Sequence, residues 1–250
     1  MRSMVFATLF SFATASAGFA FDINAMSDAE RAAFRAEIRE YLLENPEVLM
    51  EAIAVLEARQ SAEAEMAEAD MLIEFGEAIF NDGYSYVGGN PDGDITIVEF
   101  LDYRCGFCKR AFPAVEELIA SDGNIRFIVK EFPILGEASV LGSRYAIAAK
   151  EVAGDEAYKA IHDEMMSLRS ELTEAAIRRI SSDLDLPHDE IAAQMDSEFV
   201  TNVIQTNRAL AQQLQIQGTP SFIMGESFVR GFVELDQMRE IVAQERANKG

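Results

Sequence analysis

Apolar positions recur at helical spacing in the first part of the chain, give way to short continuous apolar runs, and then return to helical spacing. Ser27-Asp28-Ala29-Glu30 reads as a capping box, and Phe34, Ile38 and Leu42 follow on one face, which predicts a helix over 28–44. Asn45-Pro46 ends that helix and starts another, in which Val48, Leu49, Ala52, Ile53 and Leu56 form one stripe. Residues 57–70 favour helix yet offer little to bury, as a solvated stalk does. The stripe returns at Met71, Leu72, Phe75, Ile79 and Phe80, and Asn81-Asp82-Gly83 stops it. Two apolar helices on a polar stalk cannot build a core of useful size alone. Their stripe is therefore expected to meet copies of itself, with folding back onto the rest of the chain as the open alternative.

Beyond a predicted loop at 87–94 the pattern turns to alternating β and α. Residues 95–101 form an apolar run broken by Thr96 and Glu99, the pattern of a strand buried on both faces. The helix that follows carries Ala111, Val115, Leu118 and Ile119, with a kink expected at Pro113. Asp122-Gly123-Asn124 turns the chain into a second strand at 125–132, giving a right-handed β-α-β unit. Residues 137–213 read as helical, punctuated by Gly154, Leu168-Arg169-Ser170 and Leu186-Pro187. A hairpin at 221–224 and 227–229, turning at Gly225-Glu226, and a helix at 235–246 complete the order.

The start of the chain adds a compartment. Met1-Arg2 precedes an uncharged run over residues 4–20, with small residues at Ala15-Ser16-Ala17 and Gly18-Phe19-Ala20. This is the form of a secretory signal peptide, cleaved after Ala17 or Ala20. No later stretch approaches the ~18 uncharged apolar residues of a membrane span, so a soluble protein in the oxidising periplasm is expected. The net charge of -22 excludes nucleic acid and anionic lipid as partners held by the bulk field. The acid is uneven, with 16 Asp and Glu against 4 Arg and no Lys in residues 21–90.

Both cysteines of the chain lie in Cys105-Gly106-Phe107-Cys108, directly after the first apolar strand. Two thiols at a strand-to-helix junction can close a small ring, and the first sits where free helix N–H groups stabilise a thiolate. That is the chemistry of thiol–disulfide exchange. An inert staple is the alternative, but so small a ring constrains the unfolded chain little. Zinc would need two further soft or imidazole ligands, and His162 and His188 are the histidines available. Neither histidine is given a role, being read as surface or satisfied residues, and no metal or cofactor is assigned. Cu(I) handling or a chaperone-like role through the same soft thiols stays open as a second function. Met165, Met166, Met195 and Met224 fall within predicted elements, where gap-filling is the commoner role.

The order β-α-β, helical insert, β-β-α around a Cys-x-x-Cys resembles the thioredoxin fold with an inserted helical domain. It is the arrangement of the DsbA family of bacterial periplasmic thiol–disulfide oxidoreductases, and the resemblance covers roughly residues 85–248. It implies an α/β catalytic domain at 85–250 with its insert at about 137–213, after a signal peptide at 1–20 and a helical oligomerisation region at 21–84. It makes Cys105 the exposed nucleophile and Cys108 the buried resolving thiol. Gly218-Thr219-Pro220-Ser221 looks like the family's cis-proline loop facing the cysteines. Gly106, Phe107, Thr219 and Pro220 would then receive an extended substrate.

Glu99 and Lys130 each interrupt an apolar strand, where a charge is costly unless paired or neutralised. They match the family's buried acid and lysine, which implies a proton relay to Cys108 with Lys130 tuning Glu99. A structural pair or a surface-pointing strand face are the alternatives. Phe107 stands where the oxidase has histidine and Thr219 where it has valine. A less depressed Cys105, a less oxidising disulfide and an isomerase-like branch are implied. The acidic helical extension looks like the stalk of ScsC-type proteins. The expected protein is an exported disulfide oxidoreductase or isomerase, homo-oligomeric, acting on cysteine-containing exported proteins and served by a membrane redox partner.

Overall fold

The structure is a computed structural model, and it describes residues 25–249. The expected leader at 1–20 lies outside the described residues. The chain divides into two compact units, with the division between Ser61 and Ala62.

The first unit holds helix α1 (Asp28–Glu44) and the beginning of α2 (Glu47–Phe80). The capping box forms: Ser27 Oγ accepts from the Glu30 N–H, and the Glu30 carboxylate accepts from the Ser27 N–H at 2.8 Å. Nothing in α1 is buried, and apolar side chains of both helices stand open, among them Ile38, Tyr41, Leu49, Ile53 and Leu56.

The second unit is built on a five-stranded sheet of order β1-β3-β2-β4-β5. Its strands are β1 (Tyr86–Gly89), β2 (Ile95–Leu101), β3 (Ile125–Glu131), β4 (Ser221–Met224) and β5 (Ser227–Arg230). The two central strands β2 and β3 run parallel, joined by α3 (Gly106–Asp122), while the remaining pairs are antiparallel. Strand β1 falls where a loop was expected. Its four residues end in Gly88-Gly89, too short and too glycine-rich to display a β pattern. Helix α3 runs through Pro113, whose missing N–H leaves the Lys109 carbonyl without its helical donor.

The insert consists of α4 (Glu137–Ser167), α5 (Glu174–Asp183), α6 (His188–Gln194) and α7 (Glu198–Gln213), and α8 (Leu235–Lys249) closes the chain. Gly154, at φ 85°, interrupts the helical backbone of α4 where the sequence placed a break.

Each face of the sheet has its own core. Ile95, Ile97, Leu101, Ile125, Phe127 and Val129 pack with α3, α4 and α8. Val98, Phe100, Ile128 and Ile223 point the other way, against Leu210, Ala211 and Leu214 at the end of α7. The same second core takes in Ile79, fully buried, with Met71, Leu72, Phe75 and Phe80 around it. The closing stripe of α2, expected to meet another copy, thus lies on its own sheet. Burying Ile79 alone contributes about 1.5–3 kcal/mol, which a polar stalk has no other means to gain.

Candidate active site

Cys105 is the N-cap of α3, with extended backbone at φ -70° and ψ 113°, and Cys108 lies one turn inside the helix. Their thiols are unbonded to each other. Cys105 Sγ accepts from the Cys108 N–H at 3.5 Å and its thiol donates to the Thr219 carbonyl at 3.0 Å. The Thr219–Pro220 peptide bond is cis, and Ser221 Oγ ties the loop by donating to the Gly218 carbonyl at 2.8 Å. Gly106 and Phe107 are exposed beside the pair, Phe107 at 58%, whereas Cys105, expected to be exposed, is itself buried at 6% because the helix start and the Thr219 loop close over it. The structure therefore brings Cys105, Cys108, Gly106, Phe107, Thr219 and Pro220 to one place.

The two thiols have opposite electrostatics. The hydrogen bond from Cys108 pulls Cys105 down to about 5, against the effect of burial, and the Thr219 side chain and the N–H groups of Cys108 and Phe107 add to it. Cys108, fully buried, is pushed far above the ordinary thiol range by desolvation, by its bond to Cys105 and by the charge of Glu99.

Asp102 fixes the approach to the helix. Fully buried, it accepts from the Arg104 N–H at 2.7 Å and from the N–H groups of Ile134 and Leu135 at 2.8 and 3.0 Å. One carboxylate thus joins the turn before Cys105 to the loop after β3, a role that its place at a strand end did not reveal.

Glu99 and Lys130 do not meet. In the parallel register Glu99 lies opposite Val129 and Phe100 opposite Lys130, so the two side chains leave opposite faces of the sheet. Glu99 faces the cysteines. Burial raises its pKa to about 8, with Glu116, Cys105 and Glu131 adding, and its Oε1 has no hydrogen-bond partner among the described residues. Lys130 is on the far side, where its Nζ donates to Asp82 Oδ2 and to the Ala78 carbonyl at 2.8 Å. The expected tuning of Glu99 by Lys130 is corrected accordingly: Lys130 holds the end of α2. Asp82 also accepts from the N–H groups of Tyr84 and Ser85, at 3.0 and 2.9 Å. Arg126 supports the same helix end by donating to the Phe80 carbonyl at 2.7 Å.

A second buried acid, Glu131, occupies the face Lys130 leaves. Its Oε1 accepts from Tyr103 at 2.8 Å and from Tyr158 at 2.6 Å, and burial raises its pKa to about 7. His162, which carried no assignment, is a satisfied core histidine: Nδ1 lies 3.0 Å from the Tyr103 hydroxyl, and burial pushes its pKa down to about 3. His188 is half-buried, with Nδ1 3.0 Å from the Tyr145 hydroxyl. Among the described residues no group of three His, Cys, Asp or Glu is placed to hold a metal ion.

Comparison with known proteins agrees with this geometry. Residues 96–243 match the family described as DSBA-like thioredoxin domain, and residues 30–63 match the copper resistance protein ScsC N-terminal domain. A thioredoxin-like oxidoreductase from Silicibacter pomeroyi is 38% identical with a TM-score of 0.65, covering 70% of this chain and 98% of its own. A linker-deletion variant of Proteus mirabilis ScsC is 27% identical with a TM-score of 0.67, covering 91% of this chain and 100% of its own. Disulfide bond formation protein D of Bacillus subtilis is 21% identical over 173 residues, 64% of this chain and 77% of that protein. The chain spans 21% of the length of two further curated relatives, Na(+)/H(+) antiporters of the NhaA type from Salinispora tropica and Salinispora arenicola. With more than half its length matched around the cysteine pair and the cis-proline loop, this chain belongs to the DSBA-like thioredoxin domain family.

Proposed function

We propose that the protein is an exported thiol–disulfide oxidoreductase that exchanges disulfides with substrate proteins through Cys105 and Cys108. The observation that carries this reading is the asymmetry of the pair. Both thiols are buried, yet the one at the helix N-cap beside exposed residues is held down to about 5 and the other is held far above the ordinary range.

In the oxidising direction, a substrate thiolate attacks Cys105 Sγ of the internal disulfide, forming a mixed disulfide and releasing Cys108 as a thiolate. A second substrate thiolate then attacks the substrate sulfur of that bond, and Cys105 leaves as a thiolate. The substrate gains a disulfide, and the protein takes up the electron pair. In isomerisation the Cys105 thiolate attacks a wrong substrate disulfide and is itself displaced by another substrate thiolate, with no net electron transfer. Cys105 suits both roles, because a low pKa makes it a good leaving group and leaves it ionised at neutral pH. Glu99 is the proton donor to the Cys108 thiolate, since a carboxyl raised to about 8 still holds its proton near neutrality. The Thr219 backbone, beside Cys105, supplies the edge for an extended substrate chain.

The open apolar side chains of α1 and early α2, together with the N-terminal match over 30–63, support self-association through these helices. The uncharged leader supports periplasmic location, with cysteine-containing exported proteins as substrates and a membrane redox partner. Cys105→Ser tests the chemistry on reduced and on scrambled substrate proteins. Loss of exchange is expected, and retained exchange, or tight Cu(I) binding by a wild-type protein that exchanges nothing, would overturn the proposal. Removing residues 25–61 should lower the native mass in light scattering to that of a single chain; an unchanged assembly contradicts the oligomer reading.

A further inference from the structure

A groove of about 820 Å³ opens between the start of α3 and the segment that follows α4. Its chemistry runs against the rest of the molecule. The chain carries 43 acidic residues to 21 Lys and Arg, yet the charged side chains lining the groove are Arg104, Lys109, Arg110 and Arg169 against the single carboxylate of Glu171. Three of these cations are held in place. Arg104 donates to the Leu135 carbonyl and Lys109 to the Leu168 carbonyl, each at 2.6 Å, and the Arg110 guanidinium sits 4.3 Å from the Phe232 ring centroid. Each keeps further N–H groups for a ligand. Burial lowers the pKa of Lys109, a cost that a bound carboxylate would offset.

The groove is lined from the helix start that carries the reacting sulfur, although Cys105 itself does not line it. Arg104 directly precedes Cys105, and Lys109 and Arg110 lie in the first turns of the same helix. Thr219, whose carbonyl meets Cys105 Sγ at 3.0 Å, does not line it. A chain joined to Cys105 would therefore meet the cis-proline loop and the groove as separate contacts. We infer that this cationic groove receives acidic side chains flanking the reactive cysteine of the substrate, so that the protein selects cysteines in an acidic sequence context. The inference rests on the thiol–disulfide reading above and names the substrate class for that site.

The test is single-turnover reaction of the full oxidised protein with short cysteine peptides whose flanking residues are Asp, Asn or Lys. Each rate is divided by that peptide's rate with a small neutral disulfide, which removes the effect of the flanking charge on the peptide thiol itself. The Asp peptide is expected to react about fivefold faster than the Asn peptide at low salt, the scale of one or two exposed charge contacts. The preference should fade at about 0.5 M salt. Arg169→Glu should reduce it while leaving the Asn-peptide rate unchanged, and Arg104→Gln should reduce it as well. A preference for the Lys peptide, which the net charge of -22 alone would produce, or equal rates for all peptides, would overturn the inference. No reaction with any peptide would overturn the thiol–disulfide reading itself.

Discussion

Replacing Cys108 with alanine isolates the contact that sets the reactivity of Cys105. In the reduced protein the bond from Cys108 is the largest influence lowering the Cys105 pKa, ahead of Thr219 and the N–H groups of Cys108 and Phe107, while burial opposes all of them. A hydrogen bond to a charged group contributes about 1.5–3 kcal/mol, and one pKa unit corresponds to about 1.4 kcal/mol. Cys108→Ala should therefore move Cys105 from about 5 to about 6–7. At about pH 5.5 the thiolate fraction would fall from about three quarters to about a tenth. Alkylation by iodoacetamide, followed by mass spectrometry across the pH range, reads this directly, because Cys108 in the wild type is too buried and too basic to compete. A midpoint that moves by less than about half a unit would refute the account and assign the low pKa to the helix N-terminus and Thr219. A wild-type midpoint near about 8.5 would refute the site electrostatics altogether. The wild-type value of about 5 lies between thioredoxin, at about 7, and DsbA, at about 3.5.

Breaking the buried Lys130–Asp82 pair with Lys130→Met should cost about 3–5 kcal/mol in urea unfolding, because Asp82 is left uncompensated. Adding Asp82→Ala should recover part of that loss, and an additive second loss would show that the two residues act independently. For the oxidised protein, stability should fall as pH rises from about 5 to about 8: Glu99 and Glu131 hold protons in the folded state that the unfolded chain has already released. Glu99→Gln should flatten that slope in thermal melts by at most about 1.4 kcal/mol per pH unit. The reduced protein should show the flatter dependence even without the substitution, since Cys105, depressed from 9.0 to about 5, contributes stability that grows over the same window. Gly225→Ala should destabilise by more than about 1 kcal/mol, because a Cβ at φ 64° would approach Glu245 Oε2 to 2.3 Å and disturb the carboxylate that fixes the hairpin turn through Glu226 and Ser227.

Legibility in the sequence followed the range of the interactions. The cysteine pair, its N-cap position and the cis-proline loop rest on short motifs, and β2, β3 and α3 on uninterrupted local patterns. The partner of Lys130 was hidden because β2 and β3 are buried on both faces. When both faces are apolar, alternation no longer says which side a charge leaves from, and Glu99 and Lys130 look alike until the register is known. Glu131 was not singled out, because an acid near the end of a predicted strand at 125–132 carries no mark of burial on its own. Its partners Tyr103 and Tyr158 lie 28 and 27 residues away, and no local pattern announces contacts at that separation. The stripe on α2 was visible as apolar, but amphipathicity states only that a face is covered, and Ile79 found its cover on the sheet of its own chain.

Placing Lys130 on the far face changes how the acid beneath the cysteines must work. A lysine beside Glu99 would hold its carboxyl ionised, able to accept a proton but with none to give when Cys108 leaves as a thiolate. With Lys130 engaged by Asp82 and the Ala78 carbonyl, the charges that act on Glu99 are those of Glu116, Cys105 and Glu131, all negative. Burial and like charge then act in the same direction, and Glu99 remains protonated near neutrality with its Oε1 unpartnered among the described residues. The group is costly to the fold in its ionised form and inexpensive in the protonated form that the proposed proton-donor role requires. The sheet thus keeps apart two groups that a shared face would couple: on the cysteine side the acid proposed as proton donor, and on the opposite side a lysine that fastens the end of α2. Moving a cation to the Glu99 face, as in Val129→Lys, should lower the pH at which Cys108 release becomes slow, and a pH profile identical to wild type would show that Glu99 is not the proton donor.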